Sequence, residues 1–183
     1  KMASAPKVDT AAAEHEAASD LAFHAAEKLF ATHDIPRDDI DFLILCTQAP
    51  DYLLPSSACV LQQRLGLPTS CGALDINLGC SGYVYALAMA KGLIESGIRK
   101  KVLLLTADTY SKYINARDRS VRTLFGDGAA ASVIAGGAPE LALGPFVLGT
   151  DGSGANNLIV PAGGMRTARS AAWMVTSVSV VSA

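Results

Sequence analysis

One thiol offers this chain its clearest chemistry. In the stretch DINLGCSGYVYAL, residues 75–87, Cys80 stands between Gly79 and Ser81, where an apolar run gives way to helical spacing. A thiol at the mouth of a helix faces unpaired backbone N–H groups and the positive end of the helix dipole, and both favour the nucleophilic thiolate. Gly79 and Gly82 leave space for a tight turn and for close approach of a substrate, and the amide of Cys80 can donate to an oxyanion. Spacing alone leaves two readings open: a nucleophile, or a small packed hydrophobe. Cys46, Cys59 and Cys71 stand in apolar or helical context and are expected to be buried as small hydrophobes. No C-x-x-C pair occurs among the cysteines, so neither a zinc site nor a thioredoxin-type redox motif is signalled.

Other constellations fail on spacing. His15, His24 and His33 come at nine-residue steps, which sets successive ones on opposite faces of any helix that holds them. The hydrolase elbow G-x-S-x-G needs a glycine two residues before its nucleophile, where this chain has Leu78. GDGAAA at 126–131 fits the dinucleotide pattern G-x-G-x-x-A, yet the following SVIAGG is too short for the helix that must bind pyrophosphate.

The elements that must position Cys80 alternate. Ser19 can cap a helix over 20–33, with Leu21, Ala22, Ala25, Ala26, Leu29 and Phe30 inward and His24 on the solvated edge. DFLILCTQ (41–48) reads as a buried strand, PDYLLPSS as a loop, and SSACVLQQRLGL as a helix capped at Ser56 or Ser57. CGALDIN (71–77) is the next strand. From Cys80 to Ser96, Tyr83, Leu87, Ala90 and Ile94 recur at helical spacing until Gly97 stops the helix before the central strand KKVLLLTAD. A polar connection, TYSKYINARDRSVRTLF, leads to DGAAASVIAG, LALGPFVLGTD and NNLIVPAGG, which read as successive short strands. The pattern is a layered α/β domain with a mixed sheet covered by helices. The tail RTARSAAWMVTSVSVVSA has neither periodicity nor a cap.

At 183 residues, half of them hydrophobic and 17% charged, the chain is long enough for one domain with a core of its own. A mean hydropathy of +0.30 is high for a solvated monomer and suggests surface covered by a partner. A net charge of −2 gives no basic stripe, which argues against nucleic acid as the main partner. No long charge-free apolar window or apolar signal core is present, so no membrane partner and a cytoplasmic location are expected.

PSSACVLQQRLGL, ALDINLGCSGYVYALAMAKGLIESG, KKVLLLTADTYSKYINARDRSVRTLFGDGAAASVI and TDGSGANNLIVPAGG together resemble the β-ketoacyl-[acyl-carrier-protein] synthase III family and its thiolase-fold relatives over residues 19–165. The resemblance implies the N-terminal half of a thiolase-like fold. It also implies a cysteine, matched by Cys80, that takes an acyl group from acyl-coenzyme A and passes it to malonyl-acyl carrier protein after decarboxylation. Arg119 matches an arginine that stacks on the adenine of coenzyme A, and Phe125 an aromatic that lines the catalytic cavity. Leu54 falls where the family places a residue that crosses a dimer interface to limit the partner's acyl pocket. No cofactor or metal is implied; the coenzyme A thioester enters as substrate.

The resemblance stops short of the histidine and asparagine that serve the decarboxylating step, and no histidine follows His33. The family's opening strand is not matched, nor is the tryptophan that faces the arginine across adenine; the one tryptophan, Trp173, lies in the tail. The expected organisation is an extension over 1–18, a thiolase-fold half-domain over 19–165 and an unmatched tail over 166–183. About half an enzyme is expected, either as a homodimer or with a second chain supplying the missing half, and with the KVLLLTA strand and the helix after Cys80 open to water. Two other readings fit: acyl transfer to an oxygen or nitrogen acceptor without elongation, and a truncated, catalytically inert half-fold.

Overall fold

The computed structural model describes residues 3–4, 12–114, 124–137, 143–168 and 179–180. Strand β1 (Ala3–Ser4) and helix α1 (Ala18–His33) precede β2 (Phe42–Cys46), α2 (Ser57–Arg64), β3 (Gly72–Ile76), α3 (Gly82–Glu95) and β4 (Lys101–Thr109). Then come β5 (Asp127–Ala135), β6 (Leu158–Ile159) and β7 (Ser179–Val180). The main sheet runs in the order β1-β5-β4-β2-β3. β2 pairs in parallel with both β3 and β4, while β5 is antiparallel to β4 and β1 antiparallel to β5. The α/β mixed sheet read from the sequence is therefore present.

Connection geometry decides which face each helix covers. Parallel neighbours need a crossover, and crossovers are right-handed. The step from β2 to β3 moves outward across the sheet, whereas the step from β3 to β4 returns past β2, so α2 and α3 must lie on opposite faces. The cores follow suit. Leu43 and Leu45 of β2 and Leu103, Leu105 and Ala107 of β4 pack with α1 and α2; Ile44, Val102 and Leu104 pack with Ala86, Leu87 and Ala90 of α3. Period-two alternation on strands buried from both sides accounts for the continuous apolar runs in the sequence. Val102–Leu105 are sealed within the chain itself, contrary to the expectation that the KVLLLTA strand would be open to water. Val84 and Met89 on the outer side of α3 do remain exposed.

Local details depart from the reading in ways that have physical causes. Helix α1 begins at Ala18, so Ser19 lies inside it, buried, with its hydroxyl donating to Asp51 at 2.5 Å. The amide of Ala17 is satisfied instead by Asp20 at 2.9 Å. Ser56 occupies the N-cap position of α2, but its side chain makes no capping bond. The carboxylate of Asp75, on neighbouring β3, accepts from the amides of Ser57 and Ala58 at 2.8 and 2.7 Å, placing negative charge at the positive end of that helix. Cys46 and Cys71 are buried as expected, but Cys59 is exposed. α2 turns Ser57, Ala58 and Leu61 inward, and Cys59, one residue past Ala58, is rotated about 100° off that face.

Residues 143–150 form no strand, and only Leu158–Ile159 of the last predicted strand pair, with Ser179–Val180. Leu143 and Phe146 still pack on the α3 side of the core, and the Tyr85 hydroxyl donates to the Gly149 carbonyl at 2.9 Å. The first residues also join the domain. Ala3 and Ser4 pair with Val133 and Ser132, and the amide of Ala12 donates to Asp127 at 2.8 Å. Trp173 lies outside the described residues.

Candidate active site

Parallel register brings the site together. Cys46 pairs with both Ile76 and Thr106, so β2 and β3 end at one edge of the sheet, which β4 continues past. The segments beyond them, Thr47–Gln48, Asn77–Ser81 and Asp108–Tyr110, meet there, at the carboxyl ends of parallel strands where open α/β sheets bind ligands. Cys80 is exposed in the turn between β3 and α3. It precedes the N-cap residue Ser81, just outside the helix rather than within its first turn. The turn is closed by the Gly82 amide, which donates to the Gly79 carbonyl at 2.8 Å.

Close approach constrains Gly82 directly and Gly79 through the movable tip of the Gln48 side chain. A Cβ at Gly82 would stand 2.3 Å from Cys46 Sγ and 3.0 Å from Leu78 Cβ; one at Gly79 would stand 2.7 Å from Gln48 Oε1. Cys46 is a buried floor to the turn, its thiol donating to the Leu78 carbonyl at 3.2 Å. Burial and the neighbouring Asp108 push that thiol up to about 11, which keeps it protonated and unreactive. Burial likewise pushes Cys71 up to about 11, with Asp41 adding to the effect.

Asp108 accepts from the Gln48 amide at 2.7 Å and from the Thr47 hydroxyl at 3.3 Å, tying β4 to the segment after β2. Burial pushes its carboxyl up to about 6, the hydrogen bonds opposing only in part. Between its ordinary value of 3.8 and about 6, the folded chain holds a proton that the unfolded chain has released. Stability must therefore fall as pH rises through that window and level off above it. In thermal melts from about pH 4 to about pH 7, wild-type Tm is expected to decline relative to that of Asp108→Asn; parallel pH curves would contradict this.

The remaining sequence-predicted residues divide. Phe125 is half-buried and stacks on Tyr110, ring centroids 4.9 Å apart and planes 24° apart. Leu54 lies in the loop after β2 and is 82% exposed. Arg119 lies outside the described residues. Asp127 is buried and accepts from the amide of Ser111 at 2.8 Å and from its hydroxyl, so it holds the turn after β4. GDGAAA enters β5 rather than a helix, which removes the dinucleotide reading. A cavity of about 700 Å³ opens beside the turn, lined in part by Gln48, Asp51, Tyr52, Asn77, Tyr110 and Ile159. Gln48, Asp108 and Tyr110 were not singled out from the sequence. Their positions, directly after or at the end of a parallel strand, were the available signal.

A family model described as 3-oxoacyl-[acyl-carrier-protein (ACP)] synthase III matches residues 74–152, a span that includes Cys80. The chain is 44% identical over 155 residues to the β-ketoacyl-[acyl-carrier-protein] synthase III of Clostridioides difficile, covering 85% of this chain and 47% of that protein. A crystal structure of a 3-oxoacyl-(acyl-carrier-protein) synthase III superposes with a TM-score of 0.84 at 63% identity, over 87% of this chain and 48% of that one. The synthase III from Thermus thermophilus superposes with a TM-score of 0.78 at 42% identity, over 82% and 46%. The chain thus spans about half the length of the relatives it matches and has their thiolase-type fold. Over that half, the chain belongs to the β-ketoacyl-[acyl-carrier-protein] synthase III family.

Proposed function

We propose that this chain carries the acyl-accepting half of a condensing enzyme of fatty-acid biosynthesis, with Cys80 as the nucleophile. The observation that carries the reading is an exposed thiol in a strand-to-helix turn, inside the segment matched to the family. The Cys80 thiolate attacks the carbonyl carbon of an acyl-coenzyme A thioester. The tetrahedral oxyanion collects backbone N–H donors at the turn, the carbon–sulfur bond to coenzyme A breaks, and the departing thiolate takes up a proton. The acyl group is then held as a thioester on Cys80.

In the second step, malonyl-acyl carrier protein loses carbon dioxide. The electron pair released attacks the Cys80 thioester carbonyl, forming a carbon–carbon bond and returning the Cys80 thiolate. Charge builds on the malonyl thioester oxygen, and removing a donor from such an oxygen commonly costs about a hundredfold or more in rate. In the family resemblance those donors are a histidine and an asparagine beyond the matched half. Arg119 serves coenzyme A adenine in this reading, Phe125 the cavity wall, and Leu54 the acyl pocket of a second copy. The exposure of Tyr52, Leu53 and Leu54 together supports that last role. A homodimer and a cytoplasmic site of action belong to the same proposal; among the described residues no helix is long and apolar enough to cross a membrane.

Incubation with an acyl-coenzyme A followed by intact-mass measurement tests the first step. Wild type is expected to gain one acyl mass and Cys80→Ala none; no adduct on wild type, or equal adducts on both, rejects the reading. Product analysis with malonyl-acyl carrier protein against alcohol or amine acceptors then separates elongation from simple transfer.

A further inference from the structure

We propose that Tyr110 is a positioning residue for the Cys80 turn, acting through Gln48. The Tyr110 hydroxyl donates to Gln48 Oε1. That oxygen lies so close to Gly79 that a Cβ there would meet it at 2.7 Å and the Tyr110 hydroxyl at 3.5 Å. The Gln48 side chain is thus wedged between the tyrosine and the backbone of the turn. Its own backbone is fixed twice more, the amide donating to Asp108 at 2.7 Å and the carbonyl accepting from the Tyr113 hydroxyl at 3.1 Å.

Tyr110 is braced in turn. Phe125 stacks on its ring at 4.9 Å, and Tyr113 meets it edge-on at 6.2 Å. Burial first, then the negative charge of Asp108, pushes its hydroxyl up to about 12, so it remains a neutral donor throughout the working pH range. Gly79 has no side chain with which to hold itself, and its carbonyl accepts the Gly82 amide that closes the turn. Without the wedge, the peptide planes carrying the Cys80 amide and thiol lose the lateral support that Tyr110 gives through Gln48. Aim at a thioester carbonyl is sensitive to such slack, since a misplacement of about 1 Å can cost about a hundredfold.

The role in acyl capture rests on the function proposed above; the role in holding the turn does not, and two measurements on Tyr110→Phe and Gln48→Ala separate them. In amide hydrogen exchange, peptides spanning Gly79–Gly82 are expected to exchange about tenfold faster in either variant, with β2 and β4 unchanged. Unaltered exchange at the turn overturns the inference whatever the acylation result. In acyl-coenzyme A turnover, the saturated acylation rate is expected to fall about tenfold while the concentration for half-saturation and the alkylation of Cys80 by iodoacetamide stay within about twofold. Equal loss of acylation, alkylation and Tm overturns positioning in favour of general unfolding. The double variant is expected to be no slower than either single one, because both remove the same wedge; additive losses would overturn the shared path. Failure of wild type to acylate rejects only the function, with exchange still deciding the inference.

Discussion

Gly82→Ala is expected to destabilise the chain by about 2 kcal/mol and to slow acyl capture by at least about tenfold. The added methyl carbon would stand 2.3 Å from Cys46 Sγ and 3.0 Å from Leu78 Cβ. Cys46 is the last residue of a fully paired parallel strand, and its sulfur is only one bond from Cβ, so it has little room to yield. Alanine's better helix propensity, at most about 1 kcal/mol and less at a first-turn position, offsets only part of that cost. Because the displaced backbone lies two residues after Cys80, the proposed nucleophile moves with it. Denaturant unfolding measures the first effect and acyl-adduct kinetics the second. The double variant Cys46→Ala with Gly82→Ala, which removes the obstructing sulfur, is expected to recover most of the loss. A Gly82→Ala chain as stable and as reactive as wild type would contradict the packed turn.

The largest effect on stability is expected from Leu103→Ala, at about 3–4 kcal/mol. Leu103 is fully buried in β4, pairs with Leu43 and Val133 on its flanks, and faces the layer formed by α1 and α2. The cavity left behind has nothing to fill it, since backbone on both sides is locked in register. For a chain of this size such a loss lowers Tm by roughly 10 °C. A thermal melt measures it, and a drop of less than about 3 °C would mean that the α1 side of the sheet is not the sealed core described here.

The elements that surround this core were legible because their signals are local. Apolar runs bounded by turn residues marked β2, β4 and β5, and one apolar arc marked α1. Gly97 ended α3 where expected, with φ at +74°. Segment 143–150 misled because its apolar residues alternate past Gly144, Pro145 and Gly149 without a neighbouring strand to pair with; Val147 is almost fully exposed. Cys59 misled because an eight-residue helix with an inward face of small residues carries too weak a period to say which side a cysteine takes. Cap residues were misassigned for a related reason: the group that caps α2 is Asp75, 18 residues downstream and on another strand.

The candidate site was half legible. Cys80 declared itself through its glycine neighbours and its place before a helical pattern. The residues that support it did not, since Gln48, Gly79 and Tyr110 are some 30 residues apart along the chain and meet only through the register of three parallel strands. Nothing in the period of any one segment encodes that meeting. Knowing that ligands collect at the carboxyl ends of such strands would have directed attention to Gln48 and Tyr110.

Of the two exposed thiols, the proposed function assigns the acyl group to Cys80 alone. Tryptic mapping after treatment with an acyl-coenzyme A addresses it directly, because cleavage at lysine and arginine places Cys59 in fragment 38–64 and Cys80 in fragment 65–91. The acyl mass is expected on fragment 65–91, localised by fragmentation to Cys80, with 38–64 unmodified. Acylation of Cys59, or equal labelling of both fragments, would contradict it.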